Sequence, residues 1–391
     1  MFSLKKDAKN VNNLAEDVNK ITINEESKPD NDQQQKPKQT LQSKLKLGNK
    51  LHINLINANA KPELPTPQEN EQLSKKYNKM INSLVSESET SSVNDKEPKK
   101  KFHLSLYNLK KIGRLGGGAS GEVFLIQDVE TKKLLALKTV QYSSEEKVQK
   151  QLETEVKLNS ELKSDYTIRC YAAYFNEGTI NFVLEYMDRG TLDDALKKAK
   201  KIPENILGII TCQVIKGLAY IQTEKKIIHR DLKPSNILLK SKGYAKISDF
   251  GVSAMVQGSW EQKKTMVGTY LYMAPERIDA DIYYLNSDIW SLGMIVLECC
   301  LGFFPYKIYN NNQDFPNLWK VREAIENKPV PSAGEGYSDE INDFIQKCLN
   351  KKIEDRPKAI QLLNHPFIKK YEGKSCKELA EWLKTLYPNG K

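Results

Sequence analysis

Residues 229 to 236 read His229-Arg230-Asp231-Leu232-Lys233-Pro234-Ser235-Asn236, and Asp249-Phe250-Gly251 begins thirteen positions after Asn236. One carboxylate placed to steer a hydroxyl, one amide to hold a metal, and a second carboxylate for the same metal form the set that phosphoryl transfer from ATP requires. The transition state of that reaction is loose, so it asks for positioning and charge neutralisation rather than covalent chemistry. Each residue alone reads as well as a surface ion pair; the ordered combination does not.

A second cluster suits the phosphates. Gly116-Gly117-Gly118-Ala119-Ser120-Gly121-Glu122-Val123 fits G-x-G-x-x-G-x-V, in which Gly116, Gly118 and Gly121 let backbone N–H groups approach an anion with no Cβ in the way. Such a loop alone is also an ordinary flexible hairpin. Here it lies between two predicted strands, not ahead of a helix, and Ala136-Leu137-Lys138 follows. Lys138 would hold the α- and β-phosphates and needs an anion behind it. Glu155 is the choice by spacing, with Glu153 the competitor on the same helix. Val123, Ala136 and Leu238 are expected to line an adenine slot, Leu184 to sit at its back, and the backbone from Glu185 to Met187 to bond the base.

These side chains need a frame. Stretches near 109 to 115, 121 to 128 and 133 to 140 read as strands, 145 to 160 as a helix, and Ile180 to Tyr186 as a buried strand. Beyond Gly190 the pattern turns helical. Ile206, Ile209, Ile210, Val214, Leu218 and Ile221 mark the apolar face of a long helix that starts after Pro203. A small sheet followed by helices implies an α+β fold of two lobes with a cleft between them.

Residues 1 to 101 are rich in Asn, Gln, Lys, Ser and Pro and cannot bury enough apolar surface to offset their ordering entropy, so they read as a disordered extension. One exception is Leu73, Tyr77, Ile81 and Leu84, with Met80, which recur at helical spacing. At the other end, Cys376, Leu379, Ala380, Trp382, Leu383 and Leu386 outline a final amphipathic helix in a tail of residues 371 to 391. The six cysteines show no C-x-x-C spacing, and the four histidines are scattered, which argues against a disulfide framework or a His/Cys metal site. A start of Met1-Phe2-Ser3-Leu4-Lys5-Lys6 offers neither an apolar signal core nor a myristoylation site, and the apolar run Leu292 to Phe304 is too short to span a bilayer. The expectation is a soluble protein in a reducing, cytoplasmic compartment, with nuclear entry left open. The net charge of +10 is unaccompanied by any nucleic-acid motif and reads as a solvated lysine-rich surface, so neither nucleic acid nor membrane is expected as a partner.

The motif set resembles that of the protein kinases, placed here in a domain of residues 102 to 370. That resemblance implies the two-lobed kinase fold, with a small β-sheet N-lobe carrying one main helix and a mostly helical C-lobe. It implies ATP and Mg²⁺, with Asp231 orienting the substrate hydroxyl, Lys233 neutralising the γ-phosphate, Asn236 and Asp249 holding the metal, and Arg230 awaiting an anionic group of the activation loop. Ala274-Pro275-Glu276 closes that loop, Glu276 is expected to pair with Arg356, and Asp288 to hold the catalytic-loop backbone.

Within the kinases the chain resembles the mitogen-activated protein kinase kinases from about 107 to 370. Carrying that likeness are Met187-Asp188-Arg189-Gly190-Thr191-Leu192-Asp193, Lys233-Pro234-Ser235-Asn236, Asp249-Phe250-Gly251-Val252-Ser253, and Gly268-Thr269-Tyr270-Leu271-Tyr272-Met273-Ala274-Pro275-Glu276-Arg277. The resemblance implies phosphorylation of Thr and Tyr in the T-x-Y loop of a mitogen-activated protein kinase, activation by an upstream kinase kinase kinase, and association with a scaffold protein. Ser259 and Thr265 take the places of activating phosphosites, separated by the five residues Trp260 to Lys264 as in plant-type members, and Thr269 would bond Asp231 and Lys233. Two stretches resemble docking peptides: Lys44, Lys46 and Lys50 with Leu51, Ile53 and Leu55, and Lys99 to Lys101 with Leu104 and Leu106. The helix around Leu73 to Leu84 matches one that restrains animal members. The alternatives are a Ser/Thr kinase of another cascade tier and a scaffold pseudokinase; against the latter, Lys138, Asp231, Asn236 and Asp249 are all present.

Overall fold

The computed structural model describes residues 66, 68, 71–76, 78, 108–118, 121–142, 146–250, 269–280, 284–315, 317–374 and 376–390. The chain divides into two units, Met1–Leu64, which lies outside the described residues, and Pro65–Lys391.

The N-lobe is a five-stranded antiparallel sheet in the order β1-β2-β3-β5-β4, formed by β1 (Leu109–Gly118), β2 (Gly121–Asp128), β3 (Leu134–Gln141), β4 (Cys170–Asn176) and β5 (Thr179–Glu185). Between β3 and β4 comes helix α1 (Glu146–Glu161). Strand side chains alternate between faces, so register decides which residues meet. Val123 lies opposite Lys138 and Lys138 opposite Phe182; Leu125 lies opposite Ala136 and Ala136 opposite Leu184. These residues therefore share one face. There Ile180 and Phe182 pack with Val156 of α1 and with Phe175 and Tyr142. Ile126, Leu135, Leu137 and Val183 form a separate cluster on the opposite face.

Strand β4 is absent from the sequence reading. Cys170-Tyr171-Ala172-Ala173-Tyr174-Phe175-Asn176 shows no clean apolar alternation, because β4 is an edge strand with a register shift between Cys170 and Ala172. The strand read as Ile180 to Tyr186 runs from Thr179 to Glu185, and the first strand continues through its glycines to Gly118.

The C-lobe is built on α3 (Glu204–Thr223), preceded by α2 (Leu192–Ala199). Helix α2 starts at a capping box, in which Thr191 Oγ1 accepts the Asp194 N–H at 3.0 Å and Asp194 Oδ2 accepts the Thr191 N–H at 3.0 Å. Helix α3 begins after Pro203, as expected, and is apolar nearly all round because it is core nearly all round. It is long and apolar enough to cross a membrane by length and composition, which the sequence reading did not register. In the structure 83% of that window is buried within the C-lobe, the mark of a core helix. A short hairpin of β6 (Ile237–Lys240) and β7 (Tyr244–Ile247) follows, then α4 (Pro275–Ala280), α5 (Ser287–Leu301), α6 (Leu318–Asn327), α7 (Asp339–Cys348), α8 (Ala359–Leu362), α9 (Pro366–Tyr371) and α10 (Cys376–Leu386). One large apolar core joins α3, α5, α7 and α9. Helix α10 is the amphipathic tail helix; its Leu379 and Leu383 are buried in that core, with Trp382 and Leu386 packed against it.

Gln68, Glu71 to Lys76 and Asn78 are helical, within the stretch read as an extension. Leu73 packs against the cluster of Val156, Phe175 and Phe182, Lys76 Nζ lies 3.5 Å from Glu153 Oε1, and Asn78 Oδ1 accepts the Phe175 N–H at 3.3 Å. The expected helical spacing thus has a docking place, on α1 and β4; Tyr77, Met80, Ile81 and Leu84 lie outside the described residues.

Candidate active site

Lys138 leaves β3 on the face that looks toward α1, and its side chain is only 6% exposed. Its Nζ lies 3.2 Å from Glu155 Oε1 and 2.7 Å from Asp249 Oδ1. Burial alone would lower the ammonium pKa, but Asp249 and Glu155 together raise it above the ordinary lysine value, so Lys138 stays charged. For Asp249 burial acts upward, and Lys138 outweighs it, holding the carboxyl below its usual range. Burial wins at Glu155, whose pKa is raised despite Lys138, and its Oε2 has no hydrogen-bond partner among the described residues. Glu153, the competitor, lies two positions away on the helix, about 200° around it, and turns to Lys76 instead.

The loop between α3 and β6 carries the other groups. Asp231 Oδ2 lies 2.8 Å from Lys233 Nζ. Asn236 Nδ2 donates to the Asp231 carbonyl at 2.7 Å and to Asp231 Oδ2 at 3.0 Å, which locks the loop on itself. Beneath it, Asp288 at the first turn of α5 is 2% exposed and accepts the His229 N–H at 2.8 Å and the Arg230 N–H at 3.0 Å. The His229 ring donates from Nε2 to the Ser248 carbonyl at 2.8 Å, which leaves Nδ1 to accept the Asp231 N–H at 3.4 Å. That ring also packs edge-on to Phe250 at 5.1 Å, tying the loop to the segment that carries Asp249. Arg230 and Asp249 both hold positive φ, 72° and 61°, which costs non-glycine residues energy and here aims their side chains. The Arg230 carbonyl is pinned by Arg277 Nη1 at 2.6 Å.

Two hard oxygens remain in this cluster. Asn236 Oδ1 and Asp249 Oδ2 have no hydrogen-bond partner among the described residues, whereas the other polar atom of each side chain is engaged. An amide oxygen and one carboxylate oxygen suit Mg²⁺, which takes few protein ligands and completes its shell with phosphate and water. The described residues contain no group of three His, Cys, Asp or Glu that could hold a metal by itself.

Ala136 is buried opposite Leu184, and Leu238 stands opposite Lys246 on the β6–β7 hairpin. Glu185 closes β5, its N–H already given to the Arg169 carbonyl at 2.8 Å. The Met187 N–H has no partner among the described residues. Gly121 has φ +113°, and a Cβ there would stand 2.2 Å from the Thr139 carbonyl; at Gly116 a Cβ would meet nothing within 4 Å.

Beyond the cleft, Arg356 reaches Glu276 through two bonds of 2.8 and 3.1 Å, and Ser287 Oγ donates to Glu276 Oε1 at 2.8 Å. Burial acts upward on Glu276, but Arg356 more than offsets it and the pKa lies low. A contact the sequence did not suggest joins Tyr272, whose hydroxyl donates to Glu298 Oε2 at 2.6 Å. No sequence signal finds this pair, because the partners are 26 residues apart and meet only through packing of the segment on α5. Ser259 and Thr265, both docking candidates and the Thr269 side chain lie outside the described residues.

Residues 109–368 match the family described as protein kinase domain. The chain is 43% identical over 271 residues to mitogen-activated protein kinase kinase 1c of Physcomitrium patens, covering 68% of this chain and 78% of that one. It is 41% identical over 270 residues to mitogen-activated protein kinase kinase 1 of Arabidopsis thaliana, covering 69% and 76%. To the dual specificity mitogen-activated protein kinase kinase dSOR1 of Drosophila melanogaster the identity is 36% over 304 residues, covering 72% and 76%.

Proposed function

We propose that this chain, which belongs to the protein kinases and within them to the mitogen-activated protein kinase kinases, phosphorylates both the Thr and the Tyr of the T-x-Y loop of a mitogen-activated protein kinase. The observation that carries a catalytic reading, rather than a scaffold, is the convergence of Lys138, Glu155 and Asp249 beside a self-bonded Asp231–Lys233–Asn236 loop. Dual specificity draws its support from the Drosophila relative, a dual specificity mitogen-activated protein kinase kinase by name.

In this reading the glycine loop and Lys138 hold the triphosphate, with Glu155 and its burial keeping Lys138 aimed. Val123, Ala136, Leu184 and Leu238 enclose the base, and the backbone of Glu185 to Met187 bonds its edge. Asn236 and Asp249 would hold Mg²⁺, which when bound would neutralise charge on the phosphates. Asp231 orients the incoming hydroxyl and takes its proton, and Lys233, already 2.8 Å from Asp231, offsets charge on the transferred group.

Phosphorylation of Ser259 and Thr265 by an upstream kinase adds charge that Arg230 can pair with, which orders the loop. A double Ser259→Ala, Thr265→Ala variant should then resist activation. The helix expected at Leu73 to Leu84 holds the domain inactive by restraining α1, on which Leu73 and Lys76 dock. Because Glu155 stays 3.2 Å from Lys138 with that helix docked, the restraint limits movement of α1 without displacing it. Deletion of the helix should change basal activity. Of the docking stretches, the one at Lys44 to Leu55 is the reading we favour, tested by deleting residues 1 to 60 and measuring binding to the substrate kinase.

The deciding experiment is a phosphosite map of a catalytically inactive mitogen-activated protein kinase treated with the activated enzyme. Phosphothreonine together with phosphotyrosine in T-x-Y supports the proposal; phosphoserine or phosphothreonine alone, elsewhere, moves the enzyme to another tier of the cascade.

A further inference from the structure

The Glu185 side chain is committed to a contact that the nucleotide reading leaves unused. Its Oε1 lies 2.6 Å from Lys240 Nζ and its Oε2 2.8 Å from Lys246 Nζ, so one carboxylate is divided between two ammonium groups. The Glu185 side chain is 13% exposed and that of Lys246 11%, which shields this pair from solvent and salt, while Lys240 is half-buried at 27%. Burial acts upward on the carboxyl, but the two lysines more than offset it and hold it ionised.

The placement of these charges is specific. Lys246 pairs directly with Leu238 across β6–β7, and Lys240 lies two residues beyond Leu238 on β6, so all three project from one face of the hairpin. The face that presents Leu238 to the base therefore also grips Glu185. The far end of the linking segment is tied to the same strand by backbone bonds, Arg189 N–H to the Leu239 carbonyl at 3.0 Å and Leu239 N–H to the Gly190 carbonyl at 2.8 Å. Its near end is tied to the C-lobe hairpin by the ion triad, and to the N-lobe by the Glu185 N–H on Arg169. Between these ties lie the carbonyl and amide groups from Glu185 to Met187.

We propose that Lys240 and Lys246, acting through the Glu185 carboxylate, are positioning residues that set the adenine-reading backbone and so select ATP over GTP. A carbonyl and an N–H in fixed register match the amino donor and ring-nitrogen acceptor of adenine. Guanine presents an acceptor where adenine presents a donor, and fixed groups that cannot rotate away reject it. The ion triad supplies that fixity just past the end of β5, where Tyr186 and Met187 have no strand partner among the described residues. The proposal rests on the nucleotide reading of the cleft.

The test uses the full-length chain, activated alike for wild type and variants. Initial rates on a catalytically inactive mitogen-activated protein kinase are measured against ATP and against GTP, with equilibrium titrations of both Mg²⁺ nucleotides. Lys240→Met/Lys246→Met should raise KM and Kd for ATP about tenfold, the worth of one aligned hydrogen bond. It should lower the ATP-over-GTP preference by a similar factor and leave kcat at saturating ATP within about twofold. If the double variant fails to fold, the isosteric Glu185→Gln takes its place with the same expected split. A fall in melting temperature with KM and nucleotide preference unmoved overturns the proposal in favour of a purely structural ion cluster. A rise in kcat at constant KM overturns it in favour of a restraint on lobe movement. Wild-type protein that binds no ATP sinks the nucleotide reading itself, whereas wild-type binding with unmoved variants sinks only the positioning role.

Discussion

Placing a methyl group at Gly121 and, separately, at Gly116 distinguishes two uses of glycine in one loop. At Gly121 the backbone holds φ +113°, a region closed to L side chains, and the new Cβ would stand 2.2 Å from the Thr139 carbonyl oxygen on β3. That oxygen is backbone in the middle of a sheet, so it cannot swing aside as a side chain would, and the β2–β3 pairing must open to admit the methyl. Strain at a positive φ costs roughly 1–3 kcal/mol and overpacking a further 1–3 kcal/mol, so Gly121→Ala should lose about 2–6 kcal/mol. For a domain of ordinary stability, about 5–15 kcal/mol, that is a large fraction. At Gly116 the same methyl meets nothing within 4 Å, so Gly116→Ala should stay within about 1 kcal/mol of wild type. Its effect should fall on the KM for ATP, because the proposed nucleotide reading brings a phosphate to this backbone. Urea unfolding of both variants, read beside the ATP dependence of initial rates, separates them. Equal destabilisation by the two substitutions, or a Gly121→Ala protein as stable as wild type, refutes the steric argument.

Asp288→Asn keeps one acceptor for the His229 and Arg230 amides where two are needed, and should lower kcat by at least about tenfold with a smaller change in KM for ATP, measured by steady-state kinetics. Arg356→Met leaves the half-buried Glu276 without its cation and should cost about 1.5–3 kcal/mol at pH 7 in urea unfolding. The same pair predicts a pH dependence. The folded pKa of Glu276 lies below its reference value of 4.5, so its contribution is complete above that pH and is lost as pH falls through the depressed folded value. The stability gap between wild type and Arg356→Met should therefore narrow on acidification below about pH 4.5, checked by unfolding at stepped pH.

What the sequence displayed and what it hid follow from one distinction. Asp231, Lys233, Asn236 and Asp249 lie close together along the chain, and the helix after Pro203 has a long apolar pattern, so motif and periodicity locate them. Glu153 and Glu155 could be ranked by spacing, but only the orientation of α1 sends one to Lys138 and the other to Lys76. Strand β4 was hidden because an edge strand with a register shift lacks clean alternation. The Glu185 clamp was hidden because its cations lie 55 and 61 residues downstream, and their common face depends on the β6–β7 register. Tyr272 and Glu298, likewise, become neighbours only when the segment packs on α5.

The central claim is that Asp231 acts on a phosphate acceptor placed beside nucleotide held by Lys138 and Asp249. A single-turnover measurement of phosphate transfer from ATP to a catalytically inactive mitogen-activated protein kinase, comparing wild type with Asp231→Asn at matched nucleotide occupancy, tests it most directly. The account predicts that the variant binds ATP as wild type does and transfers phosphate slower by roughly 10²- to 10⁴-fold. Transfer at the wild-type rate by Asp231→Asn, with nucleotide bound equally, would contradict it.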